Sequence, residues 1–402
     1  MITSKRSRTI AALSSIVVAA TALTAGATSG AAAPVPLAAA KGTPIKFLQT
    51  APVDSPILSF PTYRTGASVA AAAINAAGGI NGRPIQIEFC DDKNIPTVAA
   101  QCVAQGIAAG VVARVSSVGI QGPVINPLLL NAKLANIGSI PGGGPEFTAP
   151  NEYPLSPGTA YGYTAWGKLM KQKYPKAKTA VVMVSDVNLG STNARLLKQG
   201  AEAAGLTVLD EIPVPPTLGD LSSVAGQVSR LKPDIVMASF SAAQVLKWWS
   251  ASQSIGLQTP FITGPAGQTK ETMAQAGAAA AWTSFGDYYP NQYSNVAGAA
   301  VFRAQMAKYA AGQPITRDAW VSWIGVTALA SIMQSMKGPI TPSTVWGTIS
   351  RVKCLDVLYF KCLNLSKPGP IPAAPTIRVT TEFMSVIKNG DLAPTPYIAT
   401  AG

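Results

Sequence analysis

From residue 44 to residue 263 the chain alternates short β-rich apolar runs with longer, Ala-rich amphipathic runs. A strand followed by a helix-length segment and another strand can return to the same sheet only in parallel, with helices covering both faces. The alternation therefore confines the chain to an α/β architecture. Residues 44–49, 84–89, 111–115 and 134–138 read as strands, separated by helices at 65–77, 97–109 and 124–132. Within 84–89, apolar Ile85, Ile87 and Phe89 alternate with Gln86 and Glu88, the period of a strand nearer the sheet edge. After a Pro- and Gly-rich stretch at 141–158 a second series begins. It has helices at 161–174, 193–204, 221–231 and 243–254, and strands at 179–184, 207–212, 234–239 and 260–263. Two successive α/β modules follow, each with its own sheet. Two long helices at 296–309 and 318–336 come next. Thr341-Pro342 then offers a capping hydroxyl and a proline at the first helical position. Residues 376–379 and 383–387 read as closing strands.

Composition removes whole classes of function. Of 402 residues, 48% are hydrophobic and 12% charged, the opposite of a disordered chain. There is no His, so Ser-His-Asp and Cys-His nucleophile systems and every His metal site are excluded. Four Cys without a C-x-x-C pair argue against a zinc ribbon or a dithiol redox centre. No paired acids, nucleophile elbow or P-loop appears. Neither enzyme activity, nor a cofactor, nor a metal is expected.

Residues 1–40 have the order of a secretory signal: basic Lys5, Arg6 and Arg8, an apolar run, then a small-residue zone with Ala-x-Ala sites ending at Ala33 or Ala40. A retained membrane anchor is the alternative. No Cys precedes Cys90, which leaves no acceptor for N-terminal lipidation, so a soluble protein of the periplasm or cell envelope is expected. The formal charge of +13 becomes about +10 (13 − 3) without the signal's basic residues. Those charges are dispersed, and nucleic acid is not an expected partner. In an oxidising compartment the spacing suggests two local disulfides, Cys90–Cys102 and Cys354–Cys362, against buried free thiols.

The segment Ile74-Asn75-Ala76-Ala77-Gly78-Gly79-Ile80-Asn81-Gly82-Arg83-Pro84-Ile85, followed by Asp91-Asp92, is a glycine-stopped helix, a tight Asn-Gly turn and a strand start. It resembles the substrate-binding proteins of branched-chain amino acid type ABC transporters, which have the type I periplasmic-binding fold. Residues 134–138, 179–190 with Asp186 and Gly190, Gly219-Asp220 and 231–236 continue the resemblance in order. It spans 44–387. It implies two Rossmann-like lobes joined by three hinge crossovers, with lobe 1 at 43–156 plus 289–345 and lobe 2 at 157–288 plus 346–402. It also implies a monomer that captures a small molecule between the lobes and delivers it to ABC permease subunits. A ligand-sensing receptor subunit of the same fold is the alternative.

The resemblance places candidate ligand contacts in the loops that follow the strands. Ser59 and Phe60 lie in the first such loop, where an aromatic ring either covers the ligand or packs within its lobe. Ser117, Gln121, Gly138 and Ser139 occupy the loops that would hold a carboxylate, or else cap helices. In the second lobe, Leu189 stands where amino-acid binders carry Tyr, and Ala266 where they carry the acid that pairs with the ligand ammonium. Burying an ammonium without a counter-charge is costly. Asp186, at a strand end, either substitutes for the missing acid or serves a purely structural role there. The expected second wall is Asn188, Leu189, Phe240 and Ala266, with Tyr288 near a crossover, and it suits an amide or an amine-free carboxylate. Trp248 and Trp249 are expected in lobe packing.

Overall fold

The computed structural model describes residues 39–55, 59–119, 121–187, 190–264, 270–357 and 360–400. The expected signal lies almost wholly outside them, as do Asn188, Leu189 and Ala266.

The first module contains strands β1 (Ile45–Ala51), β2 (Ile85–Asp91), β3 (Ala113–Val115), β4 (Val118–Gly119), β5 (Asn136–Ile137), β6 (Ile140–Pro141) and β7 (Glu152–Tyr153). Between them run helices α1 (Tyr63–Ala76), α2 (Pro96–Ala108), α3 (Gly122–Asn131) and α4 (Pro145–Thr148). Its five-stranded sheet has the order β2-β1-β3-β5-β7 and is parallel throughout. β2 is the edge strand, as its alternation required. Side chains of period 2 split this sheet between two cores. Phe47, Ala113, Val115 and Ile137 face one way, with Tyr63 and Ala67 of α1; Leu48 faces the other, with Val103, Ile125 and Leu129 of α2 and α3.

The second module contains α5 (Gly158–Lys173), β8 (Thr179–Ser185), α6 (Gly190–Ala203), β9 (Thr207–Val214), α7 (Ser222–Leu231), β10 (Ile235–Ser239), α8 (Ala242–Ser254), β11 (Phe261–Thr263), α9 (Lys270–Ala274) and β12 (Thr283–Asp287). Its seven-stranded sheet runs β16-β15-β12-β11-β10-β8-β9, where β15 is Thr381–Lys388 and β16 is Asp391–Thr400. Val181 and Met183 of β8 enter the core of Trp248 and Trp249, while Ala180, Val182 and Val184 enter that of Trp166 and Leu197. Both Trp248 and Trp249 are 1% exposed, so their place is lobe packing.

After β12 the chain returns to the first module with α10 (Ala297–Tyr309), α11 (Arg317–Met333) and α12 (Pro342–Ile349). Thr341 caps α12, reciprocally with Thr344, and Pro342 holds the first helical position. A disulfide-closed hairpin follows, β13 (Leu355–Val357) with β14 (Phe360–Leu363). Leu355, Leu363, Leu365 and Val379 pack in the first module's core. Residues 346–379, expected with lobe 2, thus adjoin lobe 1, and the chain reaches the second sheet only at Thr381. The strand expected at 376–379 does not form. The last strand, β16, was not anticipated; it pairs with β15 across a two-residue turn at Asn389 (φ +53°) and Gly390 (φ +71°). Both disulfides, Cys90–Cys102 and Cys354–Cys362, are present.

Candidate functional site

The chain passes between the two sheets at 154–157, 288–296 and 379–381. The first two passages leave the C-terminal ends of β7 and β12, so those ends lie toward the junction between the modules. The N-terminus of α5 touches the first module there, with Thr159 Oγ1 donating to the Gly142 carbonyl at 2.8 Å. Crevices outside the carboxyl ends of parallel strands are where ligands of such sheets bind.

On the first module's side, loops after β3 and β5 are drawn together by the β4–β6 pairing. Gly138 (φ +72°) and Gly325 of α11 let these loops approach the helix: a Cβ on Gly325 would sit 2.0 Å from Ser116 Oγ. Ser117 and Ser139 are fully buried. Ser117 Oγ donates to the Val115 carbonyl and accepts from the Thr50 N–H, each at 3.2 Å. Ser139 Oγ donates to Glu152 Oε2 at 3.4 Å. Both hydroxyls are thus engaged inside the module. Gln121 Nε2 donates to Asn94 Oδ1 at 2.9 Å, and the Ser59 hydroxyl to the Val53 carbonyl. Phe60 is 4% exposed, edge-on to Tyr63 with centroids 5.3 Å apart.

Beneath these loops lies a charged cluster that the sequence reading did not single out. Arg114 of β3, Asn136 of β5 and Glu152 of β7 occupy one face of the sheet in adjacent register. Asn136 Nδ2 donates to both Glu152 oxygens, at 3.0 and 2.8 Å. Glu146 accepts from the N–H groups of Gly142 and Gly143, at 3.1 and 3.2 Å, and so shapes the loop after β6. Burial pushes the Glu152 carboxyl up to about 7, against the pull of Asn136 and Arg114. Burial, and then the neighbouring Glu152, push Glu146 up to about 8.

On the second module's side, Phe240 is buried within the core of Val245 and Trp248. A polar chain stands beside it. Asn193 Nδ2 of α6 donates to Ser239 Oγ at 3.1 Å, and that oxygen lies 2.9 Å from the Tyr163 hydroxyl of α5. Asn193 Oδ1 is buried with no partner among the described residues. Tyr288 is part-exposed and packs so closely on Gly162 that a Cβ there would sit 2.4 Å from its ring.

The buried charge at the junction is engaged internally, while Asp186 after β8 is exposed. Arg317 contacts Asp287 at 3.1 Å, and both are nearly inaccessible. The Arg317 guanidinium also lies 5.7 Å from the centre of the Tyr288 ring and 5.8 Å from that of Tyr289. Burial works against the charge on Arg317, but Asp287, Tyr63 and Asp318 outweigh it and raise its pKa. Glu382 is fully buried, and burial raises its pKa well above the carboxylate range although Trp166 Nε1 donates to it at 2.9 Å. Burial thus disfavours its charged form and makes it a poor counter-ion. The set can hold a solute by hydrogen bonds and apolar contact. Tyr163, Asn193 and Ser239 were not read from the sequence. Ser239 had a signal, as the last residue of a parallel strand; Tyr163 and Asn193 had none, because their helices give no hint of which turn faces the junction.

Comparison with known proteins agrees with this architecture. The sequence pattern of the periplasmic binding protein family matches residues 44–362. No curated protein matches the chain in sequence. Among solved structures, a fatty acid ABC transporter substrate-binding protein from Thermomonospora curvata superposes with a TM-score of 0.76 at 14% identity, covering 91% of this chain and 95% of that one. A branched-chain amino acid transporter substrate-binding protein from Streptococcus pneumoniae, in complex with isoleucine, gives 0.71 at 16%, over 89% and 99%. A solute-binding ABC transporter protein from R. palustris, in complex with 4-hydroxybenzoate, gives 0.72 at 15%, over 89% and 97%.

Proposed function

The chain belongs to the periplasmic binding protein family, and on that premise we propose that it is an exported, monomeric solute-binding protein. It captures a small amine-free carboxylate or amide between its two lobes and presents it to an ABC importer, without chemical turnover. One observation carries the choice of ligand class. The buried acids at the junction are poor counter-ions, since Asp287 is paired with Arg317 and burial raises the Glu382 pKa, while Asp186 after β8 is exposed to solvent. The chain Tyr163, Ser239 and Asn193 contains no acid to pair with an ammonium, whereas Asn193 Oδ1, unpartnered among the described residues, can accept from a neutral donor. The ligands of the structural neighbours, a fatty acid, an aromatic acid and an amino acid, include two classes without an amine.

No helix among the described residues is long and apolar enough to cross a membrane. The basic, apolar and small-residue order of the first forty residues supports export.

A thermal-shift screen of the mature protein tests the reading, with amino acids, amides, aromatic acids and fatty acids as the panel. A ligand at about 100 times its Kd adds about 2.7 kcal/mol. The expected hits are amine-free acids or amides, and Tyr163→Phe and Ser239→Ala weaken them without altering the melting of the free protein. Strong stabilisation by leucine or valine, with none by their amine-free analogues, refutes the ligand class.

A further inference from the structure

A second concave site lies beside the third passage between the sheets, where the chain enters β15. It is a groove of about 410 Å³ between the disulfide hairpin and the segment that leads into β15. Volumes of about 300–1,000 Å³ are typical of small-molecule sites. Its lining includes Lys361, Asn364, Lys367, Arg378, Thr380 and Thr381, and contains no acidic residue.

The three cations are not balanced locally. Among the described residues none of them forms an ion pair. Asp356, the nearest acid along the hairpin, accepts from the Cys362 N–H and does not line the groove. Arg378 is held in a single orientation. Its Nε donates to the Lys367 carbonyl at 2.8 Å, and its Nη1 to the carbonyls of Thr376 at 2.8 Å and Glu152 at 3.3 Å. Its guanidinium carbon lies 5.1 Å from the centre of the Tyr153 ring. These contacts position the group but neutralise nothing. Nη2 is left without a partner among the described residues. Burial accordingly pulls the pKa of Arg378 down, with only Tyr153 opposing.

The walls are built rather than loose. Cys354–Cys362 closes the hairpin, and Leu355 and Leu363 anchor it in the first module's core. The Gly369 N–H bonds the Pro375 carbonyl at 2.7 Å and closes the opposite loop. A preoriented guanidinium, two exposed ammonium groups and nearby hydroxyl and amide groups form a donor set with no acidic residue in the lining. Up to three positive charges suit a phosphate group, which carries about −1.5 to −2 near neutrality, better than a single carboxylate.

We infer that the groove lined by Lys361, Lys367 and Arg378 is a binding site for a phosphate group, borne either by a small soluble compound or by a lipid headgroup. The groove shares none of the hydrogen-bonding residues Tyr163, Asn193 and Ser239 proposed for the solute, so its test does not depend on what they hold.

Titration calorimetry of the mature protein with inorganic phosphate and with glycerol phosphate tests the proposal. Co-sedimentation with vesicles of phosphatidic acid, whose headgroup is a phosphate monoester, in phosphatidylcholine distinguishes the two sources. The wild-type protein is expected to bind at least one probe, more weakly as salt rises. The double variant Lys361→Ala/Lys367→Ala, altered only at exposed side chains, is expected to bind it at least about tenfold more weakly, with unchanged melting. Arg378→Lys keeps the charge but loses the planar fork, and is expected to weaken binding as well. Binding of the soluble phosphates assigns a soluble ligand. Binding of vesicles alone, abolished in the double variant, assigns a headgroup. No binding of any probe by the wild-type protein, or equal binding by the double variant, overturns the inference.

Discussion

Glu152→Gln isolates one buried carboxyl of the first lobe. The carboxyl is fully buried beside Asn136 and Ser139, and burial moves its pKa from the ordinary 4.5 up to about 7. A carboxyl whose folded-state pKa lies above its unfolded value stabilises the fold below the unfolded pKa. That contribution is lost as pH rises from 4.5 through about 7, because the unfolded chain releases the proton first. At about 1.4 kcal/mol per pH unit, the interval amounts to about 3 kcal/mol. Glutamine copies the protonated form and does not titrate. The expected result is that wild-type stability, measured relative to Glu152→Gln, falls by about 3 kcal/mol between about pH 4.5 and about pH 8. Denaturant unfolding followed by tryptophan fluorescence reads this difference directly. Glu146 titrates in both proteins and cancels in the comparison to first order, apart from its repulsion by Glu152. If the wild-type protein instead gains on the variant as pH rises, Glu152 acts as the ionised partner of Arg114, and the reasoning from burial is refuted.

Arg317→Met strands Asp287 as an unpaired buried acid and is expected to cost about 3–5 kcal/mol, much of it recovered in Arg317→Met/Asp287→Leu; a double-mutant cycle in denaturant reads the difference. Gly325→Ala places a methyl 2.0 Å from Ser116 Oγ and 3.4 Å from Gly138 Cα, and is expected to lower stability by about 1–3 kcal/mol; a melting temperature equal to wild type contradicts the close packing of α11 on the loop after β5. Cys90→Ser/Cys102→Ser opens a loop with a sequence separation of 12 and is expected to cost about 3 kcal/mol, which unfolding with and without reductant compares with loss of the other disulfide.

Much of the architecture was legible because it follows from local periodicity. The continuous apolar run in β8 reported a strand buried on both faces, and its residues do divide alternately between two cores. The alternation in β2 reported an edge. Asn81-Gly82 reported a tight turn, and both residues have positive φ (+50° and +83°). The same dipeptide at Asn389-Gly390 carried the same signal and was passed over, because Pro394 and Pro396 disguise the strand that follows it. Pro is tolerated there on an edge strand, where a missing N–H costs no ladder bond, and β16 is the edge of its sheet.

The site was less legible, for a different reason. Strand order places a loop at the end of a sheet, but it does not say where the loop's side chains point. Ser117 and Ser139 sit in the loops the resemblance singled out, yet their hydroxyls turn inward to Thr50, Val115 and Glu152. The sequence alone determined the α/β class, the two modules and the disulfide pairs, because each depends on periodicity or spacing along the chain, and its motifs carried the resemblance to the family. Tertiary structure alone decided that Arg317 meets Asp287 across 30 residues, that Trp166 meets Glu382 across 216, and that Arg378 faces two lysines without an acid. Charge compensation inside a protein depends on which distant groups share a low-dielectric volume, and no local pattern encodes that.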